Sequence, residues 1–310
     1  MTASRLTLLL LLLSLSPATI AAVTAKDLPD HTVWYLHADL EALRTSSSGA
    51  SLYAWFDEEI GAEINEEIGI DLNTEVNSIT AYTDARNGTV VVSEGPLTRE
   101  SQERLLAIAT LEAGGDFDVR EYKGMTYYHV GDEDDEGYRS DEPFEALEDS
   151  AWFSFAIDGK ALLTSTEAQL KALLDNGGRI AGAGSHDGAM FVLSADKAFV
   201  QAGMQADNMA IEDDDDWESN ILRNTRQAAV LLADKDGLIA VQAELVSTDP
   251  KMAEAIGGIV NGLISLQAFN SDLEPEIRDL IRNTRVEVKD NTLSINTVID
   301  PDVVAGILSD

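Results

Sequence analysis

Apolar and polar positions follow two rhythms along this chain, and each change of rhythm marks an element. HTVWYLHADLEAL, from His31, is an apolar-rich strand that ends at Asp39, a helix cap, and runs into a short helix. The Ser/Gly stretch TSSSGAS follows. LYAWFDEEIGAEINEEIGI then places Leu52, Trp55, Phe56, Ile60, Ile64 and Ile68 at spacings of three and four, the stripe of an amphipathic helix closed by Gly69. SITAYTD and TVVVSEG are β-rich runs around an Asn87-Gly88 turn. Pro96 and Thr98 introduce the helix TRESQERLLAIATLEA, and the strands DVREYKG and MTYYHV turn at Lys123-Gly124. AWFSFAIDGKALLTST is a hairpin around Asp158-Gly159, and EAQLKALLDN is a helix stopped by Gly177-Gly178.

The second half repeats this order. GAMFVLSADKAFVQA is strand then helix, and WESNILRNTR is the helix that leads in. QAAVLLADKDGLIAVQAELVSTD is a hairpin turning at Lys235-Asp236-Gly237, and Pro250 starts the long helix KMAEAIGGIVNGLISLQAF. TRVEVKDNTLSINTVID is a hairpin on Asp290-Asn291, and PDVVAGILSD closes the chain as a helix. Such order points to a diverged duplication: a first repeat over residues 26–179, a Gly-rich linker IAGAGSHDG at 180–188, and a second repeat over 189–310. Hairpins between successive strands make the sheets antiparallel. The fold class is therefore α+β, two diverged repeats of antiparallel sheet with helices packed on one face. One continuous sheet and two docked sheets satisfy the pattern equally.

Residues 1–25 read as a cleaved secretory signal, and no other apolar run approaches membrane-spanning length uninterrupted. Arg5 precedes six leucines, Leu8 to Leu13, and small residues follow, with cleavage sites after Ala21 and Ala25. Ser14 and Ser16 interrupt the apolar run well short of the ~20 residues of a membrane helix. The mature chain is thus expected in the periplasm or outside the cell. It contains no cysteine, which excludes disulfides, thiol nucleophiles and thiolate metal sites. About 285 residues remain after cleavage, enough to bury a core without staples.

Charge narrows the partners. Asp and Glu total 56 against 21 Lys and Arg, a formal net charge of −35. Such a surface repels nucleic acid and attracts cations or a basic protein partner. The acids are spread along the whole chain, as in adaptation to a salty medium, where self-repulsion is screened.

The densest acidic stretch, GDEDDEGYRSDE, opens an acidic loop over 131–149. Asp132, Asp134 and Glu136 before Gly137 follow the start of a D-x-D-x-D-G calcium loop, but its twelfth position is Pro143, between Glu142 and Glu145. A solvated acidic insertion accounts for it better; calcium is the one cofactor left open, and metal ligands stay unknown. IEDDDDWES (211–219) sets four aspartates against a helix N-terminus, where they cap it. In the linker, Gly182, Gly184 and Gly188 stand between a helix and a strand, the reverse of a dinucleotide loop. Ser185, His186 and Asp187 are consecutive, point different ways and cannot relay a proton.

Four histidines exist, His31, His37, His129 and His186, with no zinc-type spacing. His37 and His129 each follow a tyrosine by two positions, Tyr35 and Tyr127, on the same strand face. Were those strands neighbours, the four side chains would line a cleft; half-buried, hydrogen-bonded histidines are the plainer expectation. Gly258 and Gly262 suit close packing of their helix on the sheet, and the twin segments ILRNTR (221–226) and LIRNTR (280–285) place arginines at helix ends. No catalytic and no cofactor-binding residue is assigned.

The signal, the hairpin-then-helix repeats and the phrase SFAIDGKALLTSTEAQLKALL resemble uncharacterised secreted, periplasmic two-repeat proteins of Gram-negative bacteria. That resemblance implies a periplasmic location and no particular reaction. The expected function is a non-enzymatic binding or interaction protein of the bacterial envelope. Its rivals are a carboxylate-based hydrolase, which requires two facing acids in a cleft, and a calcium-dependent envelope or adhesion module.

Overall fold

The computed structural model describes residues 28–84, 86, 88–113, 115–131, 147, 150–184, 186, 188–197, 199, 224–268 and 275–304. The signal, almost all of the acidic loop and the IEDDDDWES stretch lie outside them. In the first half β1 (Thr32–Asp39) leads to α1 (Leu40–Thr45), α2 (Gly49–Phe56), a π-helical turn Asp57–Gly61, α3 (Ala62–Ile68) and α4 (Leu72–Glu75). The strands β2 (Ser78–Asp84) and β3 (Gly88–Glu94) precede α5 (Arg99–Glu112). Then come β4 (Phe117–Tyr122), β5 (Met125–Gly131), β6 (Ser150–Ser154), β7 (Lys160–Thr164) and α6 (Glu167–Asp175). The second half holds β8 (Ala189–Asp196), β9 (Thr225–Lys235), β10 (Leu238–Ser247), α7 (Pro250–Ala268), α8 (Pro275–Asn283), β11 (Arg285–Lys289) and β12 (Thr292–Ile299).

All described strands join one 12-stranded antiparallel sheet, β11-β12-β10-β9-β8-β1-β2-β3-β7-β6-β5-β4. The α+β class is as expected, and one continuous sheet is what forms. Outward from its centre the order β1-β2-β3-β7-β6 is matched by β8-β9-β10-β12-β11. The central pair carries the same relation in its register. Leu36 faces Leu193, Tyr35 faces Ser194 while His37 faces Val192, and Trp34 faces Ala195 while Ala38 faces Phe191. Laying HTVWYLHAD over GAMFVLSAD therefore exchanges each pair with another pair of the ladder, an approximate two-fold axis through the sheet.

Local chemistry explains the element ends. Asp39 accepts the Ala42 N–H at 2.7 Å, and Thr98 and Thr166 cap α5 and α6 in the same way. Lys123, Asp236 and Asp290 adopt positive φ of 53°, 55° and 53°, the left-handed turns expected at the three hairpins. The helix read over Leu52–Ile68 is broken by the π-helical turn, whose extra residue rotates the stripe. Ile60 consequently lies 39% exposed, while Leu52 and Tyr53 remain buried.

Pleating decides which helix meets which face. Ile79 pairs with Ala38 and packs beneath α1 and α2, whereas its neighbour Thr80 pairs with His37 and Val92 and so faces the other way. Val92 belongs to the cluster under α6, with Val90, Tyr127, Trp152, Leu162, Leu170, Leu173 and Leu174. The α6 side is the front here and the α1–α2 side the back. Helices thus lie on both faces, with α6 alone on the front of the first half among the described helices. Helix α7 is on the back, where Gly257 approaches Val288 and Leu293 so closely that a Cβ would sit 2.5 Å from Val288 Cγ2. Gly258 and Gly262, the pair picked out by spacing, face open space. Arg226 and Arg285 begin strands instead of ending helices, and only Arg282 lies in the last turn of α8. No described helix is long and apolar enough to cross a membrane.

Candidate functional site

Where the two halves meet, the front face carries a cleft of about 240 Å³. Alternation along β1 brings Tyr35 and His37 to its floor, and the ladder sets Tyr82 and Thr80 of β2 beside them. Strand β3 adds Val92 and Glu94, and Lys160 of β7 pairs with Glu94 in both register and charge. The roof is the segment after α6. Gly177 at φ 64° turns the chain, with its N–H on the Leu174 carbonyl and the Gly178 N–H on that of Leu173, at 3.3 and 2.8 Å. This is the double bond of a Schellman motif, and it sends Arg179–Gly184 across the cleft.

His186 closes the roof onto the floor. Its Nε2 shares a 2.7 Å hydrogen bond with the Tyr35 hydroxyl, and its ring centroid stands 5.2 Å from that of His37. His37 Nδ1 is held by the Thr80 hydroxyl at 2.8 Å. Burial lowers the His37 pKa, against the opposing pull of Asp39 and Glu94, and so favours the neutral ring. Burial raises the Tyr35 hydroxyl far above its ordinary range, and Tyr82 is pushed up to about 12 by burial and then by Asp84. Tyr35 thus keeps its proton and serves as a hydrogen-bond group, not a base.

The sequence expectation placed its histidines differently. Strands β1 and β5 are not neighbours; β2, β3, β7 and β6 stand between them. His129 is therefore remote from the cleft: it is buried, stacks on Trp152 at 3.9 Å and bonds the Ser150 hydroxyl at 3.1 Å. Tyr127 donates to Glu167 at 2.6 Å. His31 occupies an exposed turn at φ 62°. The histidine that joins His37 is His186, read above as part of a linker, and no local spacing marks it. Ser185 and Asp187 lie outside the described residues, as do Asp132, Asp134 and Glu136. Among the described residues no group of three or more His, Asp or Glu could hold a metal ion.

The architecture defines an antiparallel α+β sheet protein with a roofed cleft on its pseudo-symmetry axis. No protein-family model and no curated protein matches the chain. Among solved structures, crystal form III of TP0453 aligns with TM-score 0.47 and 11% identity, over 94% of this chain and 99% of that one. Crystal form IV of TP0453 gives 0.47 and 10%, over 94% and 98%.

Proposed function

We propose that this chain is an exported, non-enzymatic binding protein of the bacterial envelope whose ligand enters the cleft under Arg179–Gly184 and His186. One observation carries the proposal: a segment joining the two halves is tied by His186 to buried Tyr35, roofing a cleft whose floor is polar where it could have been packed. Among the described residues its one lining carboxylate, Glu94, is engaged by Lys160, which supports binding over an acid–base pair. The acidic surface, at −35, favours a setting away from nucleic acid.

Native mass spectrometry of the protein recovered from the periplasmic or secreted fraction tests this. A mature mass lacking residues 1–25, or 1–21, with a small molecule retained by the wild type and lost from His186→Ala, is the expected result. A full-length mass in the cytoplasmic fraction, or a ligand equally retained by His186→Ala, overturns it.

A further inference from the structure

We infer that the cleft recognises a small organic anion, a carboxylate head on a short aliphatic body. The inference rests on the binding reading above and names its ligand class. Acids outnumber bases 56 to 21 in the chain, yet the groups lining this cleft run against that balance. Among the described residues two imidazoles, His37 and His186, and one cation, Arg179, face one carboxylate, Glu94. Lys160 neutralises Glu94. Arg179 is exposed at the mouth, its Nε on the Asn176 carbonyl at 3.4 Å, and no carboxylate lies within ion-pairing distance of it among the described residues. Its guanidinium, at the mouth of the cleft, has the planar donor fork that matches a carboxylate.

The roof adds donors and the walls add the aliphatic subsite. None of the backbone N–H groups from Ile180 to Gly184 is used in a hydrogen bond among the described residues. Val92, Ile180 and Ala183 supply apolar surface beside them. With Nδ1 of His37 on Thr80, the ring is oriented by the fold rather than by the ligand. At about 240 Å³ the cleft suits a molecule of amino-acid size.

Proton linkage follows. The groups around His37 are Asp39 at the end of β1, Glu94 on β3, Lys160 on β7, Tyr35 and Tyr82 on the floor, and Arg179 and His186 on the roof. A bound anion stabilises the imidazolium form, so binding takes up protons and tightens as pH falls through the histidine range.

Isothermal titration of the mature protein with valerate, inorganic phosphate and butylamine, at pH 6 and pH 8, decides the matter. The expected result is saturable valerate binding, several-fold tighter at pH 6. It is weakened about ten-fold or more in Arg179→Gln, an exposed position at which folding is safe. Phosphate, which lacks the aliphatic body, binds more weakly. Butylamine binding as well as valerate, phosphate binding better, or an unchanged affinity in Arg179→Gln overturns the anion assignment. If valerate fails while native mass spectrometry still finds another ligand lost from His186→Ala, the ligand class falls and the binding function stands.

Discussion

The front face of the sheet is built twice with the same strand order and opposite chemistry. In the first half one row runs Tyr35, Tyr82, Val90, Thr164, Trp152 and the next His37, Thr80, Val92, Leu162, Ser154. Counted outward from β8, the matching rows are Val192, Leu231, Gln242, Asn296, Arg285 and Ser194, Ala229, Glu244, Ser294, Glu287. From β3 outward the first pair of rows is a core, sealed by Leu170, Leu173 and Leu174 of α6. The second turns half-buried and polar from β10 outward, with Glu244 accepting from Gln242 at 3.0 Å and from Ser294 at 3.4 Å. What differs is the element that follows the last strand. Helix α6 folds over the front, while after β12 the chain takes Val304 to the back-face cluster of Leu43, Tyr53 and Ile239. The covering element, not the strand order, sets which face is dry.

The back face shows the reverse asymmetry. Helix α7 is seated by Ala253, Ile256 and Gly257, with Ala253 at 0% and Ile256 at 2% exposure. Helix α5, at the matching place after β3, stands off its strands and leaves a groove of about 340 Å³ against Met125, Tyr128 and Phe155, with Leu111 82% exposed. Polar contacts anchor it instead. Glu75 accepts from the Ser101 hydroxyl at 2.7 and 2.9 Å and from the Thr98 and Asp71 N–H groups at 2.9 and 3.1 Å. Burial would raise the Glu75 pKa, but the hydrogen bonds from these three donors outweigh it and hold it down at about 2.

Exchanging chemistry between the halves gives the largest effect. Val92→Glu places the Glu244 carboxylate under α6 and should cost about 3 kcal/mol or more in chemical denaturation, because it replaces a packed side chain of the apolar α6 cluster with a larger, charged one. Its mirror, Glu244→Val, should leave stability within about 1 kcal/mol of wild type. Equal costs for the two would end the claim that the faces differ in kind.

Next in size is Leu170→Ala, which opens a cavity at a fully buried position and should cost about 3 kcal/mol. A loss below 1 kcal/mol would mean that α6 does not seal the front face.

Glu75→Gln should cost about 2 kcal/mol at pH 7. The wild-type contribution is complete above the ordinary glutamate pKa of about 4.5 and is lost as pH falls toward 2, since the folded pKa is the depressed one. Acid titration of stability, with hydrogen exchange on α5, should show that slope in the wild type and lose it in the variant. An unchanged slope would assign the α5 anchor elsewhere.

Smallest are the glycines of α7. Gly258→Ala, in open space within a helix, should stabilise by about 0.5–1 kcal/mol. Gly257→Ala should lose that gain to the contact with Val288. Thermal melts giving the same sign and size for both would contradict the close seating of α7.

Much of the fold was legible in the chain, and the parts that were not share a cause. The caps at Asp39 and Thr98 and the turns at Lys123, Asp236 and Asp290 were readable because each depends on bonds within about four residues. The stripe from Leu52 to Ile68 was readable as helical, yet the π-helical turn that exposes Ile60 was not. Gly258 and Gly262 were picked by spacing, and the sheet chose Gly257. His37 was noticed for its Tyr35 neighbour, but its supposed companion His129 went to a separate buried stack on Trp152.

The sequence by itself determined the local elements, the antiparallel α+β class, the absence of thiol chemistry and the strong negative charge, because these follow from composition, short-range bonds and periodicity. Only the tertiary structure decided that one sheet carries both halves, which face each helix covers, and that His186 meets Tyr35 across 151 residues of chain. Pleating assigns every residue to one of two faces, but the choice of face is made by whichever element packs there. That choice is a long-range contact, and no local pattern encodes it.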